Sequence, residues 1–417
     1  MDAEIISIGD ELTSGQRLDT NSQWLSQQCG ELGIRVMFHT TVADDLDANV
    51  VAFQQAMGRV DLVICTGGLG PTADDLTRQA IANAVDLPLV QDLPALEHIK
   101  ELFRRRQRPM PEQNVVQSMF PEGSLVVPNP HGSAPGIDLT VEKDGGGQAR
   151  LFALPGVPAE MKEMWDQTVR RAVLAMRPGA ARVIAYHQVK CFGVGESDLE
   201  QMLPDLVRRG RQPTVGITVS KATITLRLTA EGETEAACIE SMQPTIATIH
   251  ECLGALVFGS GEDELQHAVA RLLEAQGATL YVVEIGTRGL LNQWMAELQG
   301  EAEGYRGGSV LASLDEAHSL PGVQELEAGL AEAGLAGVVR ELAITLRETL
   351  DVDYLLVAGP IRVSASSPDD VGIDLVVATA GGAEHQWAAY RGHPDIRQSR
   401  AAKQALDFLR HQMLSTD

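Results

Sequence analysis

The sequence predicts an α/β protein built from three parts. Short apolar runs alternate with amphipathic runs over the first ~170 residues, which is typical of βαβ units and of a parallel sheet. Residues 222–229 alternate apolar and polar side chains with period two, as a half-buried strand does. Alternation of helix and strand returns after residue 262. We therefore predict an N-terminal parallel-sheet domain over residues 1–172, a small α+β module over 173–258 and a C-terminal α/β domain over 259–417.

The elements of the N-terminal domain follow a βαβαβ order. The predicted strands are 4–8, 35–41 and 62–65, and the predicted helices are 20–32, capped by Asp19 or Thr20, and 47–57. Parallel strands place their carboxyl ends at one edge of the sheet, where ligands bind. The loops after all three strands should therefore meet at one site.

The remaining elements are assigned in the same way. In the middle module we predict strand 184–192, helix 198–206 capped by Ser197, strand 222–229 with Arg227 on the solvated face, and helix 233–253. In the C-terminal domain we predict helix 262–275, strand 279–283, helix 286–298, a helical stretch 323–348, strands 353–358 and 372–378, and helix 396–413.

Composition limits the classes of function. The net charge of −24 argues against a nucleic-acid partner, and the basic runs 104–106 and 208–211 are interpreted as solvated helix ends. The five cysteines are scattered and form no CxxC motif, which is typical of a reduced, cytoplasmic protein. No apolar run reaches about 18 residues, so no membrane segment is predicted.

A glycine-rich loop at residues 66–77 follows the third strand and precedes a helix. Backbone N–H groups of such a turn can approach an anion closely, and the helix N-terminus adds positive partial charge. The residues predicted to bind phosphate or nucleotide here are Thr66, Gly67, Gly68, Leu69, Gly70 and Thr72. Asn129 and Gly132, from the Pro- and Gly-rich segment 129–136, complete the predicted set. His131 in that segment is interpreted as a surface residue, and Cys65 as a core thiol.

Aspartates occupy all three strand-end loops. Asp10, Asp44, Asp74 and Asp75 are the predicted catalytic residues, with Asp10, Asp44 and Asp74 around a divalent cation such as Mg²⁺, Mn²⁺ or Co²⁺. The alternative for each is that it caps a helix, and Asp74 and Asp75 do precede one. Because three loops supply carboxylates to the same edge, we favour a joint site.

These segments resemble the CinA (competence/damage-inducible protein A) family along the whole chain. The resemblance lies in Gly9–Leu12, Thr20–Asn21, residues 66–77, 132–136 and 154–161, and, in the middle module, 193–197 and 213–216. It implies an N-terminal domain similar to molybdopterin-binding domains, a KH-like middle module and a homodimer. It also implies a divalent-metal-dependent pyrophosphatase that converts ADP-ribose, a small-molecule nucleotide, into AMP and ribose 5-phosphate.

The C-terminal domain departs from the family in three places. The family's deamidase of nicotinamide mononucleotide carries Glu-Ser-Cys-Thr-Gly-Gly after a strand, then a tyrosine and a lysine. In this chain Ile285, Ala312 and His318 stand at the serine, tyrosine and lysine positions. Ile285 has no nucleophilic atom, so we predict a folded domain without deamidase activity. The motifs at 307–308, 358–360 and 391–397 persist as scaffold.

Three functions stay open at this point. The first is the pyrophosphatase, which four clustered acids favour. The second is a non-catalytic pterin- or nucleotide-binding protein related to molybdenum cofactor biosynthesis proteins, and the third is a scaffold that uses the KH-like module. One departure bears on the first: the family follows Asn114 with basic residues, whereas this chain has Val115, Val116 and Gln117.

Overall fold

Two compact units make up the chain. The structure, a computed structural model, describes residues 1–143, 145–176, 182–203, 206–208, 210–298, 300, 303–323, 330–364, 370–389 and 393–415. The first unit comprises Met1–Ala185 with Ala230–Glu240, and the second comprises Tyr186–Thr229 with the residues from Ser241 onward. The middle module is thus divided between the units, and the predicted boundaries at 172/173 and 258/259 stay predictions.

A six-stranded sheet in the order β2-β1-β3-β8-β7-β6 forms the centre of the first unit. The strands of this unit are β1 (Asp2–Ile8), β2 (Arg35–Val42), β3 (Leu62–Thr66), β4 (Leu89–Gln91), β5 (Met119–Pro121), β6 (Leu125–Val127), β7 (Gly136–Glu142) and β8 (Gln148–Leu154). Strands β1, β2 and β3 are parallel, as predicted, and β8 pairs parallel with β3 as a further strand. The sheet is nevertheless mixed, because β7 and β6 pair antiparallel at its edge. A hairpin joins β7 to β8, and Asp144 within it lies outside the described residues.

Helices cover both faces of this sheet. They are α1 (Asp10–Thr13), α2 (Thr20–Glu31), α3 (Leu46–Arg59), α4 (Thr77–Ala84), α5 (Leu93–Arg105), α6 (Pro158–Met164) and α7 (Arg170–Ala175). The cap of α2 is Asp19, whose carboxylate accepts a hydrogen bond of 2.9 Å from the Ser22 N–H. Two apolar layers, one around Phe53 and Ile81 and the other around Trp165 and Phe152, bury the two faces. The sheet edge at the carboxyl ends of β1, β2 and β3 therefore rests on a packed core.

The middle part of the chain forms a four-stranded sheet in the order β10-β11-β9-β12. Its elements are β9 (Val183–Cys191), α8 (Glu196–Met202), β10 (Thr214–Ser220), β11 (Thr223–Gly232), α9 (Glu235–Leu253) and β12 (Val257–Ser260). Arg227 is exposed, as predicted. The predicted cap at Ser197 is wrong: α8 begins at Glu196, and Gly195 precedes it with extended backbone and no side-chain cap. Residues 204, 205 and 209, within the predicted helix and basic run, lie outside the described residues.

A five-stranded sheet in the order β14-β13-β15-β16-β17 forms the C-terminal part. Its elements are α10 (Leu265–Gln276), β13 (Leu280–Glu284), α11 (Leu290–Glu297), β14 (Tyr305–Val310), α12 (Leu330–Leu350), β15 (Tyr354–Val363), β16 (Val371–Thr379), β17 (Gly382–Ala389) and α13 (Pro394–Leu414). Two edge strands, β14 and β17, escaped prediction because their half-exposed faces carry glycine or polar residues rather than an apolar run. Helix α11 starts four residues later than predicted, since Arg288 and Gly289 have positive φ and form a turn.

Part of one predicted helix and part of one scaffold motif cannot be placed. Residues 324–329 of the predicted stretch 323–348, and residues 391–392 of the motif 391–397, lie outside the described residues. Helix α12 is interrupted at Gly334, whose φ is +64°. Among the described helices, none is both long and apolar enough to cross a membrane.

Candidate functional site

The carboxyl ends of the parallel strands in the first unit border a cavity of about 580 Å³. Its wall includes Ile8 at the end of β1, Asp44 after β2, the loop Gly67–Pro71 after β3, and Pro155–Pro158 after β8. The loops after β1, β2 and β3 thus meet at one edge, as the βαβαβ order predicts. Of the predicted residues, Asp44, Gly67, Gly68, Leu69, Gly70, Asp74 and Asp75 line the cavity.

Gly67 places the glycine loop against the first strand. Its φ is +109°, and a Cβ atom there would lie 2.3 Å from the carbonyl oxygen of Ile8. No other residue type fits this position without moving β1. On the other side, the Thr77 hydroxyl donates to the Gly67 carbonyl oxygen at 2.8 Å and joins the loop to the first turn of α4. The close approach that the sequence predicts for the loop is therefore built into the backbone.

Only part of the loop offers free donors. The N–H groups of Gly67, Gly70 and Thr72 already donate within the protein, to Leu154 or to Asp75. Those of Gly68 and Leu69 have no hydrogen-bond partner in the part of the chain that the structure describes. Two successive N–H groups after a residue in the left-handed region form a concave site for an anion. Among the residues predicted to bind phosphate, the loop N–H groups that remain available to a ligand are therefore those of Gly68 and Leu69.

Thr66 holds the loop together instead of offering a free hydroxyl. Its Oγ1 donates to the carbonyl oxygen of Pro155 at 3.0 Å and accepts from the side-chain amide of Asn21 at 3.1 Å. The same amide donates to the carbonyl oxygen of Gly156 at 3.0 Å. These hydrogen bonds connect the end of β3, the start of α2 and the loop after β8 at one point beside the cavity.

Asp75 also acts on the loop itself. Its Oδ1 accepts from the Gly70 N–H at 2.7 Å, and its Oδ2 accepts from the N–H and the hydroxyl of Thr72 at 2.8 and 2.5 Å. Both carboxylate oxygens are thus engaged, and Asp75 shapes the turn that precedes α4. The predicted site residues Asp75 and Thr72 are partners of each other in this structure.

A buried arginine lies directly beneath the loop. Arg78 is 3% exposed and donates to the carbonyl oxygens of Leu69 and Pro135, each at 2.8 Å. Burial lowers the pKa of the guanidinium to about 10, which leaves it charged at neutral pH. This cation orients the Leu69 peptide and adds positive potential below the two free N–H groups.

Asp10 and Asp44 form a reciprocal pair, of which Asp44 lines the cavity and Asp10 does not. The Asp10 N–H donates to Asp44 Oδ2 at 2.9 Å, and the Asp44 N–H donates to Asp10 Oδ1 at 3.1 Å. Burial raises the pKa of the Asp44 carboxyl, and the negative charges of Asp10, Asp74 and Glu11 raise it further. The neighbouring Thr72 side chain lowers the pKa of the Asp74 carboxyl, although the Thr72 hydroxyl itself donates to Asp75 in the structure. The carboxylates of Asp10 and Asp74 are therefore close enough to that of Asp44 to interact with it electrostatically.

The expected three-carboxylate cation site is not preassembled. Among the described residues, no group of three His, Cys, Asp or Glu side chains is arranged to hold a metal ion. The pair Asp10 and Asp44 nevertheless offers hard oxygen donors, each with one carboxylate oxygen outside the reciprocal hydrogen bonds. Mg²⁺ is commonly bound by one or two carboxylates, with water and substrate phosphate oxygens completing its shell. The donors present fit a cation that binds together with a phosphate ligand.

Asn129 and Gly132 shape the neighbouring loop. The Asn129 amide donates to Ala134 and to Glu160 Oε2, while its oxygen accepts from the N–H groups of His131 and Gly132. Asn129 is 1% exposed, so its side chain serves this loop and has no donor left for a ligand. His131 is exposed and Cys65 is buried, as predicted, and burial raises the pKa of the Cys65 thiol.

Several cavity residues escaped prediction. Glu11, Arg17, Gln117, Ser133 and Glu160 line the cavity. Glu11 and Glu160 lie within segments already singled out by their motifs, so their position was the available signal. Gln117 donates to the carbonyl oxygen of Leu69 at 3.3 Å, in the segment where the family resemblance implies cations. Arg17 gave no signal of its own, because a single arginine in a polar loop is typical of any surface.

The C-terminal strand ends carry the three substituted positions. Ile285, at the end of β13, is 6% exposed and packs in an apolar cluster with Leu311 and Ala317. Ala312 and His318 are exposed, and His318 Nδ1 contacts the Asp315 carbonyl oxygen. The Glu284 carboxylate before Ile285 is fully buried and accepts from the N–H groups of Leu291 and Asn292 at 3.0 and 2.6 Å. The acid at this edge therefore stabilises the start of α11.

Comparison with known proteins identifies the family. Residues 4–175 match the family described as "Probable molybdopterin binding domain", and residues 187–259 match the damage-inducible protein CinA KH domain. A CinA-like protein of Gloeobacter violaceus is 36% identical over 99% of this chain and 97% of its own length. The chain belongs to the CinA family. A CinA-like protein of Nostoc punctiforme is 33% identical over the full length of both chains.

Solved structures of CinA and of a cofactor-synthesis protein are similar to parts of this chain. The CinA protein of Thermoplasma acidophilum covers 41% of this chain and 96% of its own, with 31% identity and a TM-score of 0.37. The tungsten cofactor synthesizing protein MoaB of Pyrococcus furiosus covers 42% of this chain and 97% of its own, with 16% identity and a TM-score of 0.30.

Proposed function

We propose that the first unit hydrolyses a nucleotide pyrophosphate such as ADP-ribose with the help of a divalent cation. The observation that carries the proposal is that two kinds of group face one cavity. Free N–H groups at Gly68 and Leu69 suit a phosphate. Asp44, which lines the same cavity, and its hydrogen-bonded partner Asp10 behind it suit the cation that such a phosphate would bring.

The reaction needs a water molecule, a phosphorus atom and a leaving phosphate in one place. Water adds to one phosphorus, the bridging P–O bond breaks, and two phosphate monoesters leave with release of protons. The cation would neutralise phosphate charge and lower the pKa of a bound water. Asp10 and Asp44 would hold it, while Gly68 and Leu69 would orient one phosphate on the positive side that Arg78 supports.

The direct test is product analysis. The purified chain is incubated with ADP-ribose, FAD or coenzyme A, with and without Mg²⁺, Mn²⁺ or Co²⁺, and the products are separated by chromatography. AMP from ADP-ribose or FAD, or adenosine 3′,5′-bisphosphate from coenzyme A, formed only when the cation is present, supports the proposal. Absence of cleavage under every condition excludes it.

A second candidate is a binding protein for a pterin or a nucleotide without turnover. The match of residues 4–175 to a molybdopterin-binding domain favours it. The engagement of both oxygens of Asp75 inside the loop also favours it, since that carboxylate is then not free for chemistry. Binding of a pterin or of ADP-ribose with no product over long incubation would establish this candidate over the first.

For the C-terminal domain we propose the absence of deamidase activity. The position that should supply a nucleophile is Ile285, which is buried among aliphatic side chains. Incubation with nicotinamide mononucleotide should therefore release no ammonia. Release of ammonia by the purified chain would show that another residue has taken over the reaction.

A further inference from the structure

Arg17 has the one basic side chain among the described residues that line the cavity of the first unit. The other ionisable residues of this wall are acids: Glu11, Asp44, Asp74, Asp75 and Glu160. The side chain of Arg17 is exposed, and its guanidinium has no hydrogen bond or ion pair within the described part of the chain. Because this guanidinium makes no hydrogen bond or ion pair among the described residues, stabilisation of the fold does not explain its position in an acidic cavity.

Hydrogen bonds fix the main chain at Arg17. Its N–H donates to the carbonyl oxygen of Glu11 at 3.0 Å, and the preceding N–H groups of Ser14 and Gly15 donate to Asp10 and Leu12. Gly15, with a φ of +75°, turns the chain back after α1. Arg17 therefore follows the loop that carries Asp10, and it lines both the main cavity and a side cavity of about 40 Å³ that extends toward Asn21 and Thr66. That side cavity has room for a few water molecules only, so a ligand group at Arg17 must enter from the main cavity.

We propose that Arg17 forms a second phosphate subsite, which makes the cavity select a pyrophosphate over a single phosphate. This inference rests on the proposed function of the same site. A pyrophosphate carries two adjacent anionic groups, and the N–H groups of Gly68 and Leu69 serve one of them. Arg17, on the loop after β1, serves the other with its planar pair of donors.

The charge of the cavity makes this arginine consequential. Acids on the wall repel a phosphate unless cations compensate them, and a guanidinium that binds phosphate directly supplies fixed compensation. Gln117, another lining residue, has a neutral side chain that already donates to the carbonyl oxygen of Leu69. Removal of Arg17 therefore leaves the second phosphate without a protein cation among the described lining residues.

The test compares two ligands that differ by one phosphate. Affinities for α,β-methylene-ADP, whose bridging carbon resists hydrolysis, and for AMP are measured by calorimetry with Mg²⁺ on the full chain. Arg17→Ala should weaken binding of the methylene analogue by about 10- to 100-fold and that of AMP by less than about threefold. Arg17→Lys keeps the charge but loses the planar fork, so we expect an intermediate loss of about fivefold.

The matched control is Arg35→Ala. Arg35 begins β2 at the opposite end of the sheet and pairs with Asp2 at 3.0 Å, so its removal should leave both affinities unchanged. Equal losses for both ligands in Arg17→Ala, no loss for either, or no binding of the methylene analogue by the wild-type chain would each overturn the subsite. Failure of the proposed function is read separately: selective binding that depends on Arg17, together with intact ADP-ribose after incubation, keeps the subsite and excludes the hydrolase.

Discussion

The glycine turns after β3 and after β13 start from the same local design and reach opposite outcomes. Each follows a buried parallel strand and leads into a helix, α4 or α11. After β3, the N–H groups of Gly68 and Leu69 have no hydrogen-bond partner among the described residues, and both residues line a cavity. After β13, the N–H groups of Ile285 and Gly286 donate to Ala358 and Gly359 at 2.8 and 3.0 Å.

The carboxylates near the two turns also differ, although Asp75 in the loop after β3 is fully engaged and the available pair lies in the neighbouring loops after β1 and β2. Asp10 and Asp44 each keep one oxygen outside their reciprocal hydrogen bonds and lie near further negative charge. Glu284 is fully buried and accepts three hydrogen bonds, two of them from Asn292. A strand end thus becomes a candidate site only where its polar groups are left unsatisfied by the protein. Where these polar groups are hydrogen-bonded within the protein, the same kind of turn contributes only to the packed core.

The largest effect is expected from an attempt to restore chemistry at the second turn. Ile285→Ser replaces a buried aliphatic side chain by a small polar one, which should lower the free energy of unfolding by about 4 kcal/mol. It should release no ammonia from nicotinamide mononucleotide, because Ala312 and His318 also depart from the family pattern. Urea denaturation and an ammonia assay measure both, with Ile285→Val as the mild control at about 1 kcal/mol. Ammonia release by the serine variant alone would break the comparison.

The next effect concerns the support beneath the first turn. Arg78→Met keeps an unbranched side chain but leaves the carbonyl oxygens of Leu69 and Pro135 without their charged donor. We expect a loss of about 3 kcal/mol in the free energy of unfolding and the loss of nucleotide binding. Arg59→Met, which removes the half-exposed arginine paired with Glu4, is the control for unfolding that should leave nucleotide binding intact. Unchanged nucleotide binding in Arg78→Met would show that the loop needs no support from below.

A smaller effect, confined to turnover, is expected from the carboxylate pair. Asp44→Asn preserves an oxygen that can accept from the Asp10 N–H but removes the charge that a cation needs. Metal-dependent turnover of ADP-ribose should fall by about 100-fold, which corresponds to about 2.7 kcal/mol in the activation barrier. Asp47→Asn, on the exposed side of α3, makes the same chemical change as a control. Retention of full metal-dependent turnover in Asp44→Asn excludes Asp44 as a ligand.

The smallest effect should come from Asp75. Asp75→Asn cannot accept from all three donors of Gly70 and Thr72, because its amide nitrogen is itself a donor. We expect a loosening of the loop that costs about 1 kcal/mol of binding free energy. It should appear as a rise of about fivefold in KM for ADP-ribose with little change in kcat. A fall in kcat with unchanged KM would instead indicate that Asp75 takes part in the chemistry.

Much of this architecture could be predicted from the sequence because it depends on local sequence patterns. The βαβαβ order, the strand before the glycine loop and the departure at Ile285 all depend on periodicity or on residue type at one position. Strands β14 and β17 could not be predicted, since an edge strand with one exposed face lacks a continuous apolar run. The start of α8 was missed because Gly195 precedes the helix without any side-chain cap.

By itself, the sequence determined which loops meet at the sheet edge, because strand order is enough to predict it. It also determined that position 285 carries a side chain without a nucleophilic atom, because residue identity is enough for that. Only the tertiary structure decided which polar groups in those loops remain available. Asp75 and Thr72 are hydrogen-bonded to each other, and the Asn129 side chain bonds within its own loop. The N–H groups of Gly68 and Leu69 and the guanidinium of Arg17 have no partner in the part of the chain that the structure describes. The physical reason is that a hydrogen bond depends on distance and direction between residues far apart in the chain, which no local pattern records.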